Sequence, residues 1–88
     1  MPKGSHVWLY GSRARGTNQQ DSDWDLLIIL DQDHIANRDH DNYCFPFAML
    51  GWENGEEVVP LLYSKKQWEQ QSFTPFYKNV EQDKIQIL

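Results

Sequence analysis

Residues 9–30 read LYGSRARGTNQQDSDWDLLIIL, and this stretch decides the fold. Aromatic and branched residues at 7–10 predict a strand that stops at Gly11, where a glycine lets the backbone approach a ligand closely. A polar connection follows, and the run at 24–30 predicts a second strand that is apolar except for Asp25. The stretch therefore reads as strand, glycine turn, polar connection and second strand.

Two aspartates stand where the second strand begins. Asp23 and Asp25 are two residues apart, so both side chains leave the same face if the strand has already begun there. Two carboxylates on one face near a glycine turn can hold a divalent cation beside a phosphate chain. This pattern points to metal-assisted phosphoryl or nucleotidyl transfer. Asp21 lies in the preceding loop and is not part of the predicted catalytic set.

The sequence partly matches the residue spacing of two other motifs, a calcium-binding EF-hand and a phosphate-binding P-loop, but lacks residues that each of them requires. An EF-hand is excluded because Leu26 stands where that loop needs glycine, and Gln32 stands where it needs glutamate. A P-loop is excluded because Thr17 follows the second glycine in place of lysine.

The Gly-Ser pair at 11–12, a spacer of ten residues and Asp-Trp-Asp-Leu at 23–26 resemble the signature of the DNA polymerase beta-like nucleotidyltransferase superfamily. The longer strings GSRARG and SDWDL look like its small prokaryotic branch, the minimal nucleotidyltransferases. The resemblance is strong over residues 7–30 and weak elsewhere. It implies an α/β (α+β) fold, a small mixed β-sheet with helices packed on one face. The chain departs from the family in lacking its usual N-terminal helix, because residues 1–6 are polar and interrupted by proline and glycine.

The resemblance also implies the roles of the motif residues. Asp23 and Asp25 would bind two Mg²⁺ ions, one shared with the triphosphate and one with the attacking hydroxyl. Gly11 and Ser12 would contact the β- and γ-phosphates of a nucleoside triphosphate, for which ATP is the expected choice.

A third carboxylate is expected from the next strand, and Glu57 is the candidate. Counting back from PLLY at 60–63, which resembles the corresponding strand of small family members, gives this position, although Glu56 stands where a hydrophobe is expected. Glu57 would bind the second metal and accept the hydroxyl proton. The alternative is a solvated acid on an edge strand.

Two arginines follow Ser12, and each has two interpretations. A guanidinium suits triphosphate oxygens because its planar fork presents paired donors. Either arginine could instead neutralise the aspartates and hold them together. We favour Arg13 for phosphate and Arg15 for structure.

The rest of the chain predicts a loop or poorly anchored helix start at 31–42, a helix at 43–52, a third strand at 56–63, helices at 65–71 and 75–82, and a short final strand at 85–88. Pro60 favours an edge strand or a bulge. Ser12, Ser64 and Thr74 are the predicted N-caps.

Composition limits the remaining classes. Eighty-eight residues make one domain, 1–88. A net charge of −5 without a Lys/Arg run argues against nucleic-acid binding. The single Cys44 excludes an internal disulfide and fits a reducing cytosol, and no apolar run approaches a membrane span. We therefore expect a cytoplasmic protein.

The leading hypothesis is a Mg²⁺-dependent nucleotidyltransferase that moves AMP from ATP to a hydroxyl of a protein or small-molecule acceptor. The resemblance implies a helical HEPN-type partner, with this chain as the antitoxin half of a toxin–antitoxin pair, or a homo-oligomer. The rival is a catalytically weak or inactive binding module of the same fold. An aminoglycoside-modifying enzyme is disfavoured because those relatives carry an additional helical domain. The sequence does not identify the acceptor, the preferred base or the partner.

Overall fold

A computed structural model describes residues 3–17 and 22–88. In these residues four strands form one mixed sheet in the order β3-β2-β1-β4. The strands are β1 His6–Tyr10, β2 Trp24–Leu30, β3 Val58–Ser64 and β4 Ile85–Gln86. β1 runs antiparallel to β2 and β4, whereas β2 runs parallel to β3. The predicted small mixed sheet is confirmed, and β3, which contains Pro60, lies at an edge as expected.

The three helices predicted after residue 42 are present, and shorter helical segments precede them. The helices are α1 Ser12–Arg15, α2 Asn37–Asp39, α3 Phe45–Glu53, α4 Lys65–Gln70 and α5 Pro75–Asp83, and a π-helical segment His40–Cys44 joins α2 to α3. Of the two alternatives predicted for 31–42, a loop or a helix start, the structure shows a helix start from Asn37 onward. Asp39 anchors this start, because its buried carboxylate accepts hydrogen bonds from the Ala36 N–H at 2.7 Å and the Gln32 amide at 2.8 Å.

Two of the three predicted N-caps are confirmed. The Ser64 hydroxyl accepts a hydrogen bond from the Gln67 N–H at 3.1 Å, and the Gln67 side chain accepts one from the Ser64 N–H at 3.0 Å. The Thr74 hydroxyl caps α5 in the same way. The Ser12 prediction is wrong, because Gly11 occupies the N-cap position and Ser12 is the first helical residue.

Helices cover both faces of the sheet, which corrects the prediction of helices on one face. On one face α3 and the π-helical segment pack over a buried cluster, Val7, Leu26, Ile28, Leu30 and Leu62. On the other, α4 and α5 contribute Trp68 and Val80 to a cluster with Leu27 and Ile29. The physical reason is that β2 is apolar at consecutive positions from Leu26 to Leu30, so both of its faces need a cover.

The end of the chain lies beside β1. β4 pairs with β1 through Trp8 and Leu9, and the Val7 N–H donates to the Leu88 carbonyl at 3.0 Å. The predicted final strand is confirmed, although its regular part is only two residues long. Within the described ranges, no helix has the length and apolar character needed to cross a membrane.

Candidate active site

The glycine turn at the end of β1 lies next to the aspartates at the start of β2. The antiparallel register pairs Tyr10 with Asp25, so the turn that follows Tyr10 lies directly beside that carboxylate. Asp25 is half-buried within β2, whereas Asp23 precedes the strand and is exposed. The structure therefore brings Gly11 and Asp25 together as predicted from the motif, with Asp23 two residues away on the solvent side.

Glycine is favoured at position 11 by its backbone conformation and by the nearby Asp25 carboxylate. Its φ of 77° lies in the region that favours glycine, and a Cβ added there would lie 2.5 Å from Asp25 Oδ2. The same backbone conformation turns the chain out of β1 and directly into α1. This finding confirms the predicted tight glycine turn and gives its reason, which is the approach of the acid.

The two aspartates act on each other electrostatically. Burial is the main cause that raises the pKa of Asp25, and the negative charge of Asp23 raises it further. The guanidinium of Arg15 opposes both effects. A cation between the two carboxylates would relieve this repulsion, which is the electrostatic condition for a metal site.

The third predicted acid lies at the same end of the sheet. The parallel register pairs Trp24 with Val58, so Asp23 and Glu57 are the residues immediately before that pair. The Trp24 N–H donates to the Glu57 carbonyl at 2.8 Å, which ties the two strand starts together. The Glu57 side chain is exposed. Across residues 3–17 and 22–88 no three acidic, histidine or cysteine side chains are grouped closely enough to hold a metal ion.

The two arginines bind the protein itself. Arg13 Nε and Nη2 donate to the Ser22 carbonyl at 3.0 and 2.8 Å, and the guanidinium lies 4.0 Å from the centre of the Trp24 ring. Arg15 forms an ion pair with Asp83 of α5 at 2.7 Å. The structural role expected of Arg15 agrees with this contact, and phosphate binding by Arg13 stays a prediction.

Comparison with family models adds the deciding observation. A model described as the nucleotidyltransferase domain matches residues 2–87. This chain belongs to that family. The resemblance to the polymerase beta-like nucleotidyltransferases is confirmed, and so is the α+β fold class, while nucleotidyl transfer is the general activity of the family. Comparisons with curated proteins and with solved structures found no match.

The acids of this nucleotidyltransferase domain fit a divalent cation in part. Asp23 and Asp25 supply carboxylate oxygens, the donor type that Mg²⁺ binds, and Gly11 leaves the space beside Asp25 that a Cβ would fill. The side chain of Glu57 is not grouped with them. Asp23 and Asp25 could therefore supply part of the ligand set of one cation. The binding of two ions stays a prediction.

Tyr10 lies next to the candidate site of the nucleotidyltransferase domain, opposite Asp25, and was not among the residues predicted from the sequence. Its pKa is raised to about 12, chiefly by burial and then by the nearby charges of Asp25 and Tyr63. Its ring packs edge-on against Phe76 of α5, with 5.9 Å between ring centres. A cavity of about 170 Å³ lies between these aromatic rings, Gly11 and Arg15. The signal was available, because an antiparallel pair around Gly11 places the last residue of β1 opposite Asp25.

Proposed function

We propose that this nucleotidyltransferase domain transfers AMP from ATP to a hydroxyl group of a protein or small-molecule acceptor. The observation that carries the proposal is the contact between the Gly11 backbone and the Asp25 carboxylate, within a chain that matches the family over 2–87. In this reaction the acceptor oxygen bonds to the α-phosphorus, the bond between the α-phosphorus and the bridging oxygen breaks, and pyrophosphate leaves.

Each of the predicted site residues has a proposed role in this reaction. Asp23 and Asp25 would hold Mg²⁺, with two ions proposed, and when bound the metal neutralises charge on the α-phosphate. Gly11 and Ser12 would contact the β- and γ-phosphates. Glu57 is the proposed third ligand and the acceptor of the hydroxyl proton. Glu57 directly precedes β3 at the end of the sheet where Asp23 precedes β2, and its side chain is exposed.

A partner polypeptide is part of the proposal. Three large apolar side chains of α3 are exposed, Phe45 at 59%, Leu50 at 59% and Trp52 at 77%. Such surface is typical of an interaction site. We propose a helical HEPN-type protein as the partner and acceptor, with this chain as its antitoxin, and a homo-oligomer as the alternative.

A second function is a binding module of the same fold with weak or no catalytic activity. One observation favours it. The described residues do not group Asp23, Asp25 and Glu57 into one metal-binding cluster. In this alternative the exposed apolar surface docks a partner and the acids have no catalytic role.

Calorimetric titration of ATP, with and without Mg²⁺, tests the proposal. We expect Mg²⁺-dependent binding in the native protein and loss of the Mg²⁺-dependent part in Asp25→Asn. The matched control is Asp33→Asn, which removes an exposed carboxylate from the loop after β2. The absence of ATP binding by a folded sample would contradict the proposal and favour the binding module. Equal binding by Asp25→Asn and the native protein would show that the acid is wrongly assigned.

A further inference from the structure

Arg13 is nearly enclosed by the protein, since its side chain is only 12% exposed. Its guanidinium makes two hydrogen bonds to the Ser22 carbonyl and lies over the Trp24 ring. Nη2 also lies 3.7 Å from Glu56 Oε2. One side chain of α1 thus contacts the residue before Asp23, the residue after it, and the residue before Glu57.

Trp24 extends the same network between the two strand starts. Its indole N–H donates to Glu56 Oε2 at 3.3 Å, and its backbone N–H donates to the Glu57 carbonyl at 2.8 Å. The guanidinium, the indole and the Glu56 carboxylate therefore form a closed set of mutual contacts. We call Arg13, Ser22, Trp24 and Glu56 the arginine clamp.

We propose that Arg13 is a positioning residue, which through the arginine clamp holds the segments that carry Asp23 and Glu57 in register with the glycine turn. This inference rests on the proposed function, because positioning matters only if those acids bind a cation and a nucleotide. It gives Arg13 a role different from that of a phosphate ligand.

The chemistry of the clamp requires arginine. A planar guanidinium can direct two N–H groups at one carbonyl while its face lies on an aromatic ring. A lysine ammonium keeps the charge but cannot make the paired, stacked contact. The hydrogen bonds to Ser22 also make the clamp stronger than an exposed ion pair, which contributes little because water screens it.

The clamp also links two binding events. Ser12 begins α1 and is followed directly by Arg13, whereas Asp23 directly follows Ser22. A nucleotide bound at α1 and a cation bound at Asp23 would therefore both stabilise the arginine clamp. If the clamp carries that link, Mg²⁺ and ATP strengthen each other's binding through Arg13.

The first measurement is amide hydrogen exchange by NMR in Arg13→Lys. We expect the Trp24 amide to exchange at least about tenfold faster, because charge-assisted hydrogen bonds that hold its segment are lost. The Ile28 amide, at the buried centre of β2 between β1 and β3, reports global unfolding and should not change. Arg38→Lys, at an exposed position of α2, is the matched control.

Glu56→Gln is the second variant, for the case in which Arg13→Lys fails to fold. The Glu56 side chain is 47% exposed, and glutamine keeps an acceptor for the Trp24 indole while it removes the charge. We expect a smaller acceleration at the Trp24 amide, up to about fivefold. Unchanged exchange in both variants, or equal acceleration at Trp24 and Ile28, would overturn the proposal.

The second measurement is ATP titration of Arg13→Lys with and without Mg²⁺. We expect unchanged affinity without metal, and an about tenfold smaller gain in affinity on adding Mg²⁺. An equal loss of affinity under both conditions, with normal exchange at Trp24, would identify Arg13 as a phosphate ligand and overturn the positioning role. If the native protein binds no ATP, the proposed function fails, and the exchange result alone supports or overturns the clamp.

Discussion

Asp25 is crowded from two directions. The Gly11 backbone lies against its carboxylate, and Tyr10 stands opposite it on β1. Asp23 adds a like charge, and Arg15 supplies partial compensation. At the scale of single residues, the fold makes ionisation of the Asp25 carboxylate less favourable, and a bound cation would reduce that penalty.

Replacement of this carboxylate should stabilise the protein at neutral pH. Because the pKa of Asp25 is raised on folding, the folded state disfavours ionisation, and native stability falls as pH rises through that raised pKa. The Asp25→Asn variant has no carboxyl group at this position, so it does not lose stability in this way as pH rises. We expect its melting temperature to exceed that of the native protein at pH 7 and the difference to vanish below about pH 3.9, the ordinary aspartate pKa.

Thermal melts across this pH range, with Mg²⁺ removed by chelation, check the prediction. Asp33→Asn serves again as the control and should follow the native protein. A lower melting temperature of Asp25→Asn at pH 7 would mean that the carboxylate makes a net stabilising contact.

At the scale of helices and strands, contacts between residues close in sequence could be predicted from the sequence, whereas contacts between distant residues could not. Ser64 and Thr74 cap α4 and α5 through bonds within three residues, so the sequence contains both partners. Asp39 anchors α2 through Gln32, seven residues away, and its burial is invisible in a hydrophilic segment. The sequence could therefore offer a helix start at 31–42 only as one of two alternatives.

The candidate site shows the same division. Gly11 and Asp25 belong to one motif, and the antiparallel pairing of β1 with β2 follows from it, so their contact could be anticipated. The attachment of Arg13 to Glu56 depends on how β3 docks beside β2, and the ion pair of Arg15 with Asp83 depends on how α5 packs. No local pattern encodes either contact. For that reason the sequence could offer only alternatives for the two arginines.

The Ser64 cap allows a test at this scale. Ser64→Ala removes the acceptor for the Gln67 N–H, and loss of such a cap costs about 1 kcal/mol. We expect the melting temperature to fall by roughly 4–8 °C, the shift typical of that energy in a small domain. Ser72→Ala, at an exposed position between α4 and α5, is the matched control. Equal melting temperatures of the two variants would show that the cap contributes nothing.

At the scale of the whole molecule, aromatic residues are divided between core and surface. Trp68 is 5% exposed and contacts Tyr63, Phe76 and Tyr77, whereas Trp52 is 77% exposed on α3. The same residue type therefore serves the core of one sheet face and the open surface of the other side. This division could not be read from composition.

A matched pair of substitutions compares the contributions of a buried and an exposed tryptophan to the free energy of unfolding. Trp68→Ala should destabilise the fold by about 3–5 kcal/mol, because it leaves a cavity and removes a hydrogen bond to Glu81. Trp52→Ala should change stability by no more than about 0.5 kcal/mol. Denaturant unfolding followed by circular dichroism compares them. A large loss in Trp52→Ala would show that this residue is buried in solution, for example within an oligomer.

The space shared by Gly11 and the Asp25 carboxylate has an evolutionary consequence. A Cβ at position 11 would force the Asp25 carboxylate to shift, and it would also demand a backbone conformation that only glycine adopts easily. A descendant that keeps the acid is therefore expected to keep the glycine. A lineage that loses the acid is released from only one of the two restrictions, so the glycine is expected to outlast the carboxylate in copies of this domain that no longer need it.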